Sequence, residues 1–146
     1  MATLSASTSL SLYGRTELDT AARVTAALRV EPTSFVEIGG PHPDPLLARQ
    51  GRVASRSFWI YEEPPGPGPD DGEGGYASLE RLALRFGPQA DVFKALYEHY
   101  EILVWVVVTV DRPEVTFSVK PELLARLARM RAELRPDIRV MRRALV

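Results

Sequence analysis

The sequence predicts an α+β domain in which about three helices pack on one face of a mixed, largely antiparallel sheet. Strand-like and helix-like segments alternate along all 146 residues, and 12 prolines and 10 glycines punctuate them. The run from Ile102 to Val110, broken only by Thr109, has the length of a core strand and about half of the ~20 apolar residues that a membrane-spanning helix requires. With 45% hydrophobic and 25% charged residues the composition is that of a chain able to bury a core, far from the signature of disorder. One domain is expected over residues 1–146, with its core at 9–141.

The first strand is expected at Ser9 to Tyr13, with Leu10 and Leu12 on one face and Gly14 as its end. Asp19 is the expected N-cap of a helix running to about Val30, with Val24, Ala27 and Leu28 as its apolar stripe. Glu31-Pro32 stops that helix, because proline disfavours helical geometry in the residue before it. A short strand follows at Phe35 to Ile38, closed by Gly39-Gly40. Ser57 to Glu62 reads as a strand with Phe58 and Ile60 on one face and Trp59 and Tyr61 on the other. Residues 64–75 read as a mobile, acidic surface loop of Pro and Gly.

Ser78 is expected to cap a helix carrying Leu79, Leu82, Ala83 and Phe86, interrupted at Gly87-Pro88 and resumed with Val92, Leu96 and Tyr97. Glu101 to Val110 reads as a strand buried on two faces. Val115, Phe117 and Val119 alternate with Thr116 and Ser118 as a half-exposed strand, reached through a hairpin at Asp111-Arg112-Pro113. Pro121 suits the first turn of a third helix, whose stripe is Leu123, Leu124, Leu127 and Leu134. Pro136 then separates that helix from a last strand, Asp137 to Met141.

Phe58-Trp59-Ile60 after a Gly-bearing loop, and Leu18-Asp19 before a helix ending Leu28-Arg29-Val30-Glu31-Pro32-Thr33, carry a resemblance. So do Phe117-Ser118-Val119-Lys120, the stretch from Leu123 to Ala128, and Asp137-Ile138. From about Leu10 to Met141 the chain resembles the bacterial domain-of-unknown-function family 4279. It departs from that pattern after Ile138, where Arg139, Val140 and Met141 replace an acidic residue and a tyrosine. The resemblance implies a fold and no established activity.

Chemistry-bearing motifs are few. The chain has no cysteine, hence no disulfide and no thiolate metal site, and it does not depend on an oxidising compartment. The first ten residues lack a basic n-region and a long apolar stretch, so a cytoplasmic protein without membrane contact is expected. His42, Asp44 and His99 fall short of the three spaced ligands of a catalytic zinc, and no metal or cofactor is expected. No serine lies in a Gly-x-Ser-x-Gly elbow. Adjacent carboxylates at Glu62-Glu63 and Asp70-Asp71 do not converge on one reacting atom. The glycines of residues 66–75 lack the Lys-Ser/Thr of a phosphate loop and are surrounded by acid.

Two surfaces remain. Trp59 and Tyr61 beside Glu62, Glu63, Asp70 and Asp71 form either core packing or an aromatic, acidic patch for a basic protein partner. Lys94 and Lys120 are the only lysines among 18 basic residues, and the arginines concentrate towards the C-terminus. Of these, Arg135, Arg139, Arg142 and Arg143 form the candidate anion site, while Arg126, Arg129 and Arg131 suit the wet side of the third helix. The expectation is a non-enzymatic protein-binding module, an adaptor or immunity-type protein. The alternatives are a binder of nucleic acid or another anion, and a small enzyme using His42 or His99. Oligomeric state stays open.

Overall fold

The computed structural model describes residues 3–64, 76–111 and 118–141. Five strands, β1 (Thr3–Gly14), β2 (Ser34–Val36), β3 (Phe58–Glu62), β4 (Tyr100–Val110) and β5 (Glu133–Val140), form one sheet in the order β2-β3-β1-β4-β5. Only β4 and β5 run parallel; the other neighbours are antiparallel. Four helices of two turns or more accompany the sheet: α1 (Ala21–Leu28), α3 (Tyr76–Phe86), α4 (Ala90–Tyr97) and α5 (Pro121–Arg129). A single turn, α2 (Pro45–Arg49), lies in the loop before β3, and Gly87–Gln89 forms a 3-10 turn between α3 and α4. The predicted α+β class is therefore that of the molecule, and the predicted order of elements broadly matches it.

The side-chain alternation of the strands decides which face the helices cover. Leu10 and Leu12 of β1 stand opposite Tyr61 and Trp59 of β3 and opposite Val104 and Ile102 of β4. With Val106, Val108 and Val110 they form a layer that α1, α3, α4 and α5 cover with Val24, Leu28, Leu82, Phe86, Phe93 and Leu127. Full burial of each such side chain contributes about 1.5–3 kcal/mol, which makes this layer the main source of stability. Gly14 ends β1 because the chain folds straight back over it. A Cβ there would collide with the Asp19 carbonyl oxygen and Ser57 Oγ.

Several expectations change. Thr20 rather than Asp19 caps α1, its hydroxyl accepting from Arg23 N at 3.2 Å, and α1 ends at Arg29, held at φ 57°. Ser78 lies inside α3, not at its cap, and its hydroxyl shares a 2.7 Å hydrogen bond with Thr8 of β1. β4 is buried on its even-numbered face, whereas on the other face only Leu103 is fully buried and Trp105, Val107 and Thr109 are half-buried. Leu134 and Pro136 belong to β5, since Arg131 at φ 57° turns the chain out of α5 and pairing with β4 begins at Glu133. Of the strand expected over Val115 to Val119, residues 115–117 lie outside the described residues, and Ser118 and Val119 are not strand. The loop expected at 64–75 also falls there, apart from Pro64.

A proline inside β5 is tolerated for a definable reason. Met141 N donates to Val110 O at 2.9 Å, so by the two-residue alternation the N–H groups of even-numbered residues point to the free edge. Pro136 occupies one of those positions, where the ladder needs no donor and the missing N–H blunts the edge against another strand.

Candidate functional site

The aromatic and acidic residues of β3 divide between the two faces of the sheet. Trp59 is fully buried on the helical side, and its Nε1 donates to Thr25 Oγ1 of α1 at 3.0 Å. Tyr61, on the same side, packs edge-on against Phe86 at 5.2 Å and under the Arg85 guanidinium. Glu63 is buried as well and takes both ends of Arg85, with Nη2 to Oε1 at 2.8 Å and Nε to Oε2 at 3.2 Å. That fork satisfies a carboxylate that burial would otherwise penalise. The hydrogen bond to Glu63 raises the Arg85 pKa; burial, and then the Glu63 charge, raise that of Tyr61. Of the four residues proposed for a partner, only Glu62 is exposed on the opposite face.

That opposite face has no helix over it among the described residues. β1 contributes Ser5, Ser7, Ser9 and Ser11, a row of small side chains along the middle of the sheet. On one flank stand Phe58, Ile60 and Glu62 of β3; on the other, Leu103, Trp105 and Val107 of β4. Solvent-facing positions of an antiparallel sheet are ordinarily polar. Here the flanks are largely apolar. A charged lattice covers one end: Arg56 lies over Tyr13 and pairs with Glu101 at 3.2 Å, and Arg135 lies over Trp105 and reaches Glu101 at 3.6 Å and Glu133 at 3.3 Å. Sequence reasoning missed Trp105 and Ile60 as surface residues. The alternation of serines through β1 was the signal that one face of this sheet lacks a cover.

Of the proposed anion-binding arginines, Arg135 and Arg139 fall on this face too, and both are paired with carboxylates. Arg135 belongs to the lattice, and Arg139 pairs with Asp137 at 3.0 Å. Arg142 and Arg143 lie outside the described residues. Lys94, Arg129 and Arg131, which have no ion pair among the described residues, stand on the helical side and line a groove of about 340 Å³ between α4 and the end of α5. Arg129 and Arg131 are exposed, as the expected wet side of the third helix requires, although Arg131 lies beyond the end of that helix.

The histidines take separate places. His42 Nδ1 accepts from Asp44 N at 3.0 Å, and Asp44 in turn caps α2. His99 points Nδ1 at Asp19 Oδ1, 3.4 Å away, at the edge of a groove of about 610 Å³ that also holds Arg23, Lys94 and Glu98. Asp19 is buried. Burial alone would raise its pKa, but hydrogen bonds from Thr16 N and Oγ1, at 2.9 and 2.8 Å, with the charges of His99 and Arg23, hold it below the ordinary carboxylate value. Burial pushes the neighbouring Tyr100 phenol up to about 12, and its hydroxyl donates to Thr20 O at 2.6 Å. These bonds lock the turn before α1 onto β4. Among the described residues no three His, Asp or Glu side chains stand close enough to share a metal ion.

Fold and surfaces together define a small α+β domain with a helix-covered sheet face and an open one. The chain belongs to the family described as a domain of unknown function, DUF4279, whose model matches residues 4–141. No curated protein and no solved structure matches it.

Proposed function

We propose that this protein is a binding module whose open sheet face receives an amphipathic helix of a partner protein. The observation that carries this reading is the apolar flanking of a serine trough: Ile60 and Phe58 on β3, Trp105 and Val107 on β4, with β1 between them. Two strands on either side of a third are separated by twice the strand spacing, about 10 Å, which is the width of a helix with its side chains. Small serines at the centre let that helix approach, and the aromatic and apolar flanks supply the contacts that carry binding energy. Glu62 at the rim is exposed and has no ion pair among the described residues, so it favours a basic residue at the helix margin.

An adaptor, or an immunity-type protein that masks a toxin surface, has this build.

The test is capture of a partner from lysate of the source organism with tagged protein, in the presence of nuclease. Wild type retains one stoichiometric protein; Ser9→Arg, which fills the trough, and Trp105→Ala release it, with the circular dichroism spectrum unchanged. Retention that is indifferent to both substitutions, or no retained protein, overturns the reading.

A further inference from the structure

We infer that the cationic ridge across α4 and the end of α5 binds the phosphodiester backbone of a nucleic acid. Two grooves meet along α4 and share Asp91 and Lys94. The larger brings in Arg23 and His99, and the smaller brings in Arg129 and Arg131. The ridge is thus an open track rather than a closed pocket. Small ligands are held by concave burial. A polymer with regularly spaced charges can instead make several weak contacts along an open track.

The chemistry of the lining separates nucleic acid from an acidic protein surface. Between the cations the floor is alanine, with Ala90 and Ala128 in one groove and Ala27 and Ala95 in the other, beside Leu96, which is buried in the core. Such a floor allows close approach but offers no exposed aromatic or large apolar anchor of the kind protein interfaces need. Phosphate contacts require only guanidinium and ammonium groups within reach, and these position a backbone without reading sequence. Asp91 in both grooves and Glu98 in the larger one leave the excess of positive charge in the smaller groove, at Lys94, Arg129 and Arg131, and exclude no such ligand there, because a carboxylate accepts from a sugar hydroxyl. The chain as a whole carries a formal net charge of −1, so the attraction has to be local. A Debye length of about 8 Å at physiological salt confines it to this ridge.

Arg131 is the residue that a purely structural account leaves over. Arg126 and Arg129 lie in the last turn of α5, where they complement the helix dipole. Arg131 comes after the helix, at φ 57°, a position where glycine is at ease and an arginine is strained. Its side chain lines the groove. Glycine there relieves the backbone while removing a charge, so stability and binding move in opposite directions.

The experiment measures fluorescence anisotropy of a labelled 12-nucleotide oligouridylate with the full chain at 50–200 mM NaCl. Wild type binds, with a log-log salt slope of about −2 if Lys94, Arg129 and Arg131 each neutralise one phosphate of a single strand at ~0.7 per contact. Arg131→Gly weakens binding about threefold while its melting temperature holds or rises. The triple substitution K94A/R129A/R131G abolishes binding at 100 mM NaCl. Ser9→Arg on the open sheet face binds the probe as wild type does, which keeps this site separate from the protein-docking reading. No saturable binding at 50 mM NaCl, or Arg131→Gly binding as wild type, overturns the proposal. So does displacement of the probe by polyglutamate at equal charge concentration, which would mark an acidic protein site. Displacement by uridine monophosphate at equal phosphate concentration also overturns it, in favour of a small-ligand pocket.

Discussion

Trp59 and Trp105 sit on strands of the same sheet, yet one is fully enclosed and hydrogen-bonded to Thr25, while the other is half-buried beneath Arg135. The same division holds for ion pairs. On the covered side Arg85 clamps Glu63, whose side chain is 1% exposed; on the open side Arg139 and Asp137 are 65% and 35% exposed. One face therefore holds the domain together. The other carries half-buried aromatic and paired charged side chains with no helix over them among the described residues, and that difference is what the proposed docking site rests on.

The largest test of this contrast is truncation of each tryptophan. Trp59→Ala empties a volume that β1, α1 and α3 cannot refill and orphans Thr25; it should cost about 3–5 kcal/mol in urea unfolding. Trp105→Ala should cost less, about 1–2 kcal/mol, since Trp105 is only partly buried and no helix packs on it among the described residues. Equal losses would mean that the open face is structural.

A smaller effect separates the two ion pairs. Arg85→Ala leaves the Glu63 carboxylate buried and unpaired. Loss of a partner from a fully buried pair costs about 3–5 kcal/mol, but the Arg85 side chain is 47% exposed, so about 2 kcal/mol is expected. Arg139→Ala should stay within about 0.5 kcal/mol, and high salt should erase even that. The two substitutions, measured at 0.1 and 1 M NaCl, break the comparison if their salt sensitivities match.

How far the sequence could anticipate this follows from what each residue's neighbours are. Local patterning suffices for the α+β class, for β4 as a core strand though not for which of its faces is the more buried, and for the proline that opens α5. It fails where tertiary pairing decides. The first half of β1, with its serines and threonines, is a strand because β4 runs beside it from Thr3 to Gly14. Leu134 continues the helical spacing of Leu123 and Leu127, but the left-handed Arg131 cuts that helix short. The arginines from Arg126 to Arg139 look like one cluster in sequence. Folding sends Arg129 to the helical side and Arg135 to the open face, where carboxylates await it. No linear count of charge contains that division.

The smallest prediction sharpens the comparison within the helical side itself. Arg29 and Arg131 each occupy the left-handed region at φ 57°, close after the last residue of α1 and of α5 respectively. Arg29 donates its N–H to Thr25 O at 2.8 Å, a bond that glycine would keep, and its side chain lines neither groove. Arg29→Gly should therefore gain about 0.5 kcal/mol, the relief of the strained backbone less the extra freedom of glycine in the unfolded chain. Its affinity for oligouridylate should not change. Arg131→Gly shares the backbone gain and loses affinity, because only its side chain faces the cationic groove. Measured side by side, the pair divides what the backbone at these two helix ends contributes from what the charge contributes. If Arg29→Gly weakened the oligonucleotide as much as Arg131→Gly does, the effect would belong to net charge and not to the ridge.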